Sequence, residues 1–206
     1  MSRRLVALFA AAGLLLSGCA TISDGLDAIN PFASSGPKMA PLQSIKPTAD
    51  VRTAWSVGIA KAGDYTFTPA VVGDVVYAAS AKGTLSRIED GKTIWKIDVG
   101  QALSAGVGAN GKLVVVGTAK GDVLAFSADD GKALWKARVS SEVLAAPVVG
   151  DDGVAVKSGD NQVFLLDAGD GGRKWAYQLA TPPLSVRSAG SPVFADRYLF
   201  VGYPGG

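Results

Sequence analysis

Four tryptophans stand at positions 55, 95, 135 and 175, each forty residues from the next, and the chain has no others. A fixed period of about 40 residues marks a stacked repeat. Each unit is one supersecondary piece that buries its apolar surface only against a copy of itself. Asp90-Gly91, Asp130-Gly131 and Asp170-Gly171 recur at the same period, each shortly before a tryptophan.

The third repeat shows what one unit contains. Ala146-Pro147-Val148-Val149 reads as a short apolar strand and Asp151-Asp152-Gly153 as a turn. Val154-Ala155-Val156 is a second strand, and Ser158-Gly159-Asp160-Asn161 turns again. Val163-Phe164-Leu165-Leu166 is continuously apolar, as a strand covered on both faces should be. Asp170-Gly171 suits a hairpin turn, because glycine accepts positive φ without steric cost. The fourth strand, 174–179, alternates Trp175, Tyr177 and Leu179 against Lys174 and Gln178. Four short strands with tight turns in 40 residues predict an all-β chain, a β-propeller of four-stranded antiparallel blades. The tryptophans are expected to be apolar plates between adjacent blades, with Gly91, Gly131 and Gly171 as the recurring turn glycines. No stretch after residue 50 sustains a helical apolar period.

The first 18 residues read as a targeting segment. Arg3 and Arg4 precede a twelve-residue apolar core at 5–16, too short to span a bilayer. Leu16-Ser17-Gly18-Cys19 follows, and Cys19 is the only cysteine, which excludes an intrachain disulfide. The other reading is an ordinary secretory signal with an incidental cysteine. Residues 19–50 carry Pro31, Pro37, Pro41, Pro47 and Ser34-Ser35-Gly36, and read as a flexible tether spanning about 30 Å. Ile22, Leu26 and Ile29 also suit a short amphipathic stretch at a membrane surface. Residues 51–206 hold the repeats: one leading strand around Trp55, three full units and half of a fourth. The expectation is an incomplete ring of about three and a half blades. Without residues 1–18 the chain has 18 basic and 18 acidic residues. No basic patch points to nucleic acid.

Residues 180–191 carry an insertion. Trp135 lies 12 residues before Pro147, whereas Trp175 lies 17 before Pro192. Insertions in repeats map to one end of the stack, where binding surfaces are built. Leu184, Val186 and Arg187 form a small apolar anchor beside an arginine, a residue enriched in interface hot spots. Pro182-Pro183 stiffens the approach. The bland alternative is that Leu184 and Val186 tuck into the blade and Arg187 is solvated.

Ala128-Asp129-Asp130-Gly131-Lys132-Ala133-Leu134-Trp135 and Ala168-Gly169-Asp170-Gly171-Gly172-Arg173-Lys174-Trp175 resemble the repeat of pyrroloquinoline-quinone-type propellers. That repeat serves dehydrogenases and non-enzymatic proteins alike. The segment ending at Cys19 resembles a bacterial lipobox, which implies lipidation at Cys19; Ala20 after it favours the periplasmic face of the outer membrane. Leu184-Ser185-Val186-Arg187 resembles the inter-blade loop of the BamB family of outer-membrane assembly lipoproteins. The resemblance implies an eight-bladed propeller without catalytic residues, metal or cofactor. It implies contact with the periplasmic POTRA domains of BamA through Leu184, Val186 and Arg187. It also implies other Bam subunits as partners, unfolded outer-membrane proteins as clients, and a lipid anchor in the membrane. The family more often has leucine at the position of Val186. The rival expectation is a quinone-dependent periplasmic dehydrogenase. The chain has no histidine and no second cysteine, and Asp151, Asp152 and Asp160 fall where turns favour aspartate. For a third option, a carbohydrate- or peptide-binding propeller, no residue stands out.

Overall fold

The computed structural model describes residues 48–151, 153–180 and 189–203. Residues 1–47, with Cys19 and most of the predicted tether, lie outside that set, as does 181–188 with Leu184, Val186 and Arg187. The described residues form fourteen strands and no helix.

The strands assemble strictly in chain order. The first blade comprises β1 (Ala70–Val72), β2 (Val75–Ala79), β3 (Thr84–Glu89) and β4 (Lys92–Asp98). The second is β5 (Gly108–Ala109), β6 (Leu113–Gly117), β7 (Asp122–Ser127) and β8 (Ala133–Arg138). The third is β9 (Val148–Val149), β10 (Gly153–Lys157), β11 (Gln162–Asp167) and β12 (Arg173–Gln178). A two-stranded sheet of β13 (Val193–Ala195) and β14 (Tyr198–Phe200) begins a fourth. All pairings are antiparallel. The all-β repeat architecture read from the forty-residue period is therefore the architecture observed. The segment around Trp55 joins no ladder among the described residues, because a strand needs a paired neighbour and none lies beside it.

Two apolar clusters cement the blades. One holds Tyr77, Ala79 and Leu85 of the first blade against Val114, Val116, Leu124 and Phe126 of the second. The other holds Leu113, Val115, Val123 and Ala125 of the second against Val154, Val156, Phe164 and Leu166 of the third. Along β6 and β7, alternate residues thus face opposite neighbours, which is why these strands read as unbroken apolar runs. The first strands of successive blades, β1, β5 and β9, touch one another and form the hub. Gly108 in β5 permits this approach. A Cβ there would stand 2.8 Å from the Pro147 carbonyl carbon and closer still to its oxygen.

Trp95 and Trp135 sit between blades, whereas Trp55 joins no sheet among the described residues and is 46% exposed. Trp95 donates its indole N–H to the Ala128 carbonyl at 3.1 Å, and Trp135 to the Ala168 carbonyl at 2.9 Å. A Cβ on Gly131 would meet the Trp95 ring at 3.2 Å, and one on Gly171 the Trp135 ring at 2.6 Å. A Cβ on Gly91 would meet Trp55 first at its Cβ, 2.7 Å away, and then at the ring, 2.8 Å away. Trp95 and Trp135 each thus lie on a glycine of the following blade, and Trp55 lies against one of the first. Trp175 remains 41% exposed.

The three Asp-Gly turns differ in length. Asp90 and Gly91 are the two central residues between Glu89 and Lys92, with φ of 47° and 74°. Positive φ at both is the pattern of a type I′ hairpin. In the second blade Ser127 instead accepts from Gly131 N–H at 2.9 Å and donates to the Lys132 carbonyl at 2.8 Å, closing a turn two residues longer. The third blade repeats this with Asp167, Gly171 and Gly172. The longer turn projects the Ala128 or Ala168 carbonyl that the indole needs.

Candidate functional site

The insertion read within 180–191 falls in sequence between β12 and β13, and 181–188 of it lie outside the described residues. β12 ends opposite the start of β11, since Gln162 pairs with Gln178. The described residue that leaves β12, Leu179, therefore lies at the end of the blades that also carries the second-to-third-strand turns: 80–84, 118–122 and 158–162.

These three turns share one backbone design. Ser80, Thr118 and Ser158 each donate N–H to the carbonyl four residues on, at 3.0 Å or less. Gly83, Gly121 and Asn161 donate back to Ser80, Thr118 and Ser158 carbonyls. In the first two turns the hydroxyl oxygen also accepts, from Thr84 N–H at 3.3 Å and Asp122 N–H at 3.0 Å. Asp122 is buried, and Lys136 at 3.0 Å and Arg138 at 3.5 Å from β8 neutralise it.

The third turn is different. Its side chains are a polar network: Ser158 Oγ donates to Asp160 Oδ1, and Gln162 Nε2 donates to Asp160 Oδ2 at 3.1 Å. Ser140 Oγ lies 3.3 Å from Ser158 Oγ. Burial alone would raise the Asp160 pKa. The hydrogen bonds from Ser158, Ser140 and the backbone outweigh it and hold the carboxyl below the usual aspartate value. Asn161 adopts φ 62°, where the other turns have glycine.

At this end a cavity of about 360 Å³ is lined by Asp64, Tyr65, Thr66, Ser104, Leu144 and Ala189. Ser104 and Leu144 are equivalent positions of successive repeats, and Ala189 is the next when Pro147 is aligned with Pro192. It lies where the linkers into the hub strands converge. One carboxylate and one aromatic ring make a sparse ligand site. Among the described residues no group of three or more His, Cys, Asp or Glu side chains could hold a metal ion. Nor is any helix among them long and apolar enough to cross a membrane.

At the opposite end the turns are charged and exposed. Lys132 donates to Asp130 at 2.6 Å. That bond first, then those from Ser127 and the Lys132 N–H, lowers the Asp130 pKa to about 2. The folded turn thus favours the carboxylate, an effect present above the ordinary aspartate pKa and lost as pH falls through about 2. Carboxyl-carbon NMR titration should place the Asp130 midpoint near 2, and Lys132→Met should move it up toward the ordinary value.

Sequence reasoning placed the insertion at an end of the stack. It missed the network around Asp160 and the inter-blade role of Arg87. Arg87 Nη1 donates to the Ala128 carbonyl at 3.1 Å while Nη2 pairs with Glu89 at 2.5 Å. The one available signal for the first was a comparison of turns: Lys82-Gly83 and Lys120-Gly121 against Asp160-Asn161.

Residues 81–206 match the family described as outer membrane protein assembly factor BamB. The assembly factor of that name from Burkholderia pseudomallei is 42% identical over 91 residues, 43% of this chain and 24% of the relative. The chain thus spans about a quarter of that relative's length. The crystal structure of BamB from Moraxella catarrhalis superposes with a TM-score of 0.60 at 30% identity, covering 65% of this chain and 41% of that one. A quinohemoprotein alcohol dehydrogenase from Pseudomonas putida HK5 superposes with a TM-score of 0.51 at 23% identity, covering 60% of this chain and 22% of that one. At that identity the second likeness concerns the fold alone.

Proposed function

This chain belongs to the family of the outer membrane protein assembly factor BamB, and from that membership we infer that it serves as a non-enzymatic scaffold in outer-membrane β-barrel assembly. The observation that carries this reading is the family match over 81–206, which takes in all of the second and third blades and the insertion between β12 and β13. The scaffold is anchored through lipid on Cys19, after removal of residues 1–18, and residues 19–50 tether the propeller at the periplasmic face of the outer membrane. Acyl chains there supply about 0.8 kcal/mol per buried methylene, so two or more hold the protein stably.

Its partner is the periplasmic POTRA region of BamA, with other Bam subunits alongside and unfolded barrel proteins as clients. Leu184 and Val186 supply apolar contact, and Arg187 supplies a planar charged group suited to a carboxylate. The blades themselves contribute rigidity. At the end where β12 leaves the third blade, the three described second-to-third-strand turns are closed by backbone hydrogen bonds. Nothing in this role needs a bound cofactor.

The test is co-purification of the full-length, lipidated protein with BamA. Arg187→Ala and Leu184→Ala should each weaken capture by about 30-fold, the ~2 kcal/mol of a hot-spot residue. Capture unchanged by both substitutions would move the contact elsewhere and overturn this assignment of residues.

A further inference from the structure

The turn between β5 and β6 contains a glycine that the fold does not ask for. Val72 and Val75, Asn110 and Leu113, and Ala195 and Tyr198 each flank a two-residue turn between the first two strands of their sheet. In the first and last of these the leading turn residue is left-handed, Gly73 at φ 60° and Asp196 at φ 50°. Gly111 holds the same place in the second blade, yet its φ lies outside the left-handed range and a Cβ there would meet nothing within 4 Å. Neither backbone conformation nor packing calls for glycine at this position.

What the missing side chain leaves open is the approach of the Gly111 amide nitrogen to the residue before it, Asn110. That nitrogen can close a five-membered ring on the Asn110 side-chain carbon, and a side chain on residue 111 would crowd the closure. Asn110 is held ready for it. Its backbone N–H donates to the Leu113 carbonyl at 3.0 Å, but the return bond of the hairpin goes to its side chain. Asn110 Oδ1 accepts from Leu113 N–H at 2.8 Å and from Lys112 N–H at 2.9 Å. Nδ2 donates across the seam to the Gly150 carbonyl of the third blade at 3.3 Å.

Two backbone donors on one amide oxygen polarise the carbonyl. They also stabilise the negative charge that builds on that oxygen when a nucleophile adds to the carbon. The same two bonds fold the side chain back against its own turn, on the side of the Gly111 nitrogen. Gly111 is exposed and Asn110 half-buried, so water and base reach the turn from solvent.

We propose that Asn110-Gly111 is a self-modifying site, where the chain converts its own asparagine to isoaspartate and aspartate and so severs a bond between the second and third blades. The Gly111 nitrogen gives its proton to solvent base and attacks the Asn110 side-chain carbon. The new C–N bond forms, the bond to Nδ2 breaks, and Nδ2 takes up a proton and leaves as ammonia. Water then opens the ring. Addition at the backbone carbonyl yields isoaspartate, and addition at the side-chain carbonyl yields aspartate. Either product lacks the Nδ2 donor to Gly150. Aspartate sets a carboxylate against that carbonyl oxygen instead, and isoaspartate adds a methylene to the main chain inside the turn. The site is independent of the partner assigned above.

The test follows the full-length protein in warm, mildly alkaline buffer. Mass spectrometry of peptides spanning Asn110, with fragmentation that separates isoaspartate from aspartate, reads the conversion. Asn110 should convert in the folded protein at least as fast as in urea, with isoaspartate the larger product. It should far outpace Asn161, which Gln162 follows. Gly111→Ala, whose methyl has room in the fold, should slow conversion about tenfold and leave the thermal midpoint unmoved. Asn110→Asp, one of the two products, should speed hydrogen exchange in peptides covering 148–151 about fivefold. Conversion confined to the unfolded protein overturns the proposal, because the fold would then guard the site. So does conversion to aspartate alone at a rate that Gly111→Ala leaves unchanged, since no ring would have formed. Unchanged exchange in Asn110→Asp overturns its second half, because the bond to Gly150 would then not hold the seam.

Discussion

Gly108→Val is expected to be among the most damaging single substitutions in this chain. Its Cβ would press on the backbone of Pro147, in the next blade, rather than on a side chain that could swing away. Overpacking of this kind costs roughly 1–3 kcal/mol and occasionally more, and a backbone obstacle places it at the upper end. At about 2–4 °C per kcal/mol for a domain of this size, the thermal midpoint should fall by roughly 6–12 °C. Gly111→Ala is the matched control, since nothing lies within 4 Å of a Cβ there. Circular dichroism melts of the two variants decide the matter. Equal midpoints would mean that the hub contact between the second and third blades is not tight.

Trp135 should come next. Trp135→Ala removes the plate between the second and third blades and is expected to cost about 3 kcal/mol, the low end for tryptophan because the ring is only partly buried. It also leaves the Ala168 carbonyl without its indole donor. Trp135→Phe separates the two effects. It keeps an aromatic ring on Gly171 and loses only the N–H, so it should cost about 1–2 kcal/mol. Urea unfolding followed by circular dichroism measures both. If the two substitutions cost the same, the hydrogen bond and not the plate carries the interface.

The fold was legible because its strongest signal is arithmetic. A tryptophan every forty residues and strands such as Val163-Phe164-Leu165-Leu166 announce sheets covered on both sides. What periodicity hid is what it averages away. Asp90-Gly91 and Asp130-Gly131 look alike in sequence, yet the first is a two-residue hairpin and the second closes a longer turn. The difference lies in how many residues separate Arg87 from Trp95 and Ala125 from Trp135, pairs that share one register. A constant tryptophan spacing does not report it. The candidate loop was legible only as a count of extra residues, 17 against 12. The network around Asp160 was not, because Ser-Gly-Asp-Asn is ordinary turn composition. Only the neighbours that Ser140, Glu142 and Gln162 bring in three dimensions make it a network.

The direction of the indole contacts has a consequence for how such a chain is completed. Trp55, Trp95 and Trp135 each rest on a glycine 36 residues later, at 91, 131 and 171. A ribosome therefore delivers each of these three rings before the glycine that it meets. At about 5–20 residues per second the wait is roughly 2–7 s for each unit. The newest finished sheet still shows its ring, while Trp95 and Trp135 are already covered by the next blade. Growth from the amino end thus moves an uncovered front along the polypeptide one blade at a time.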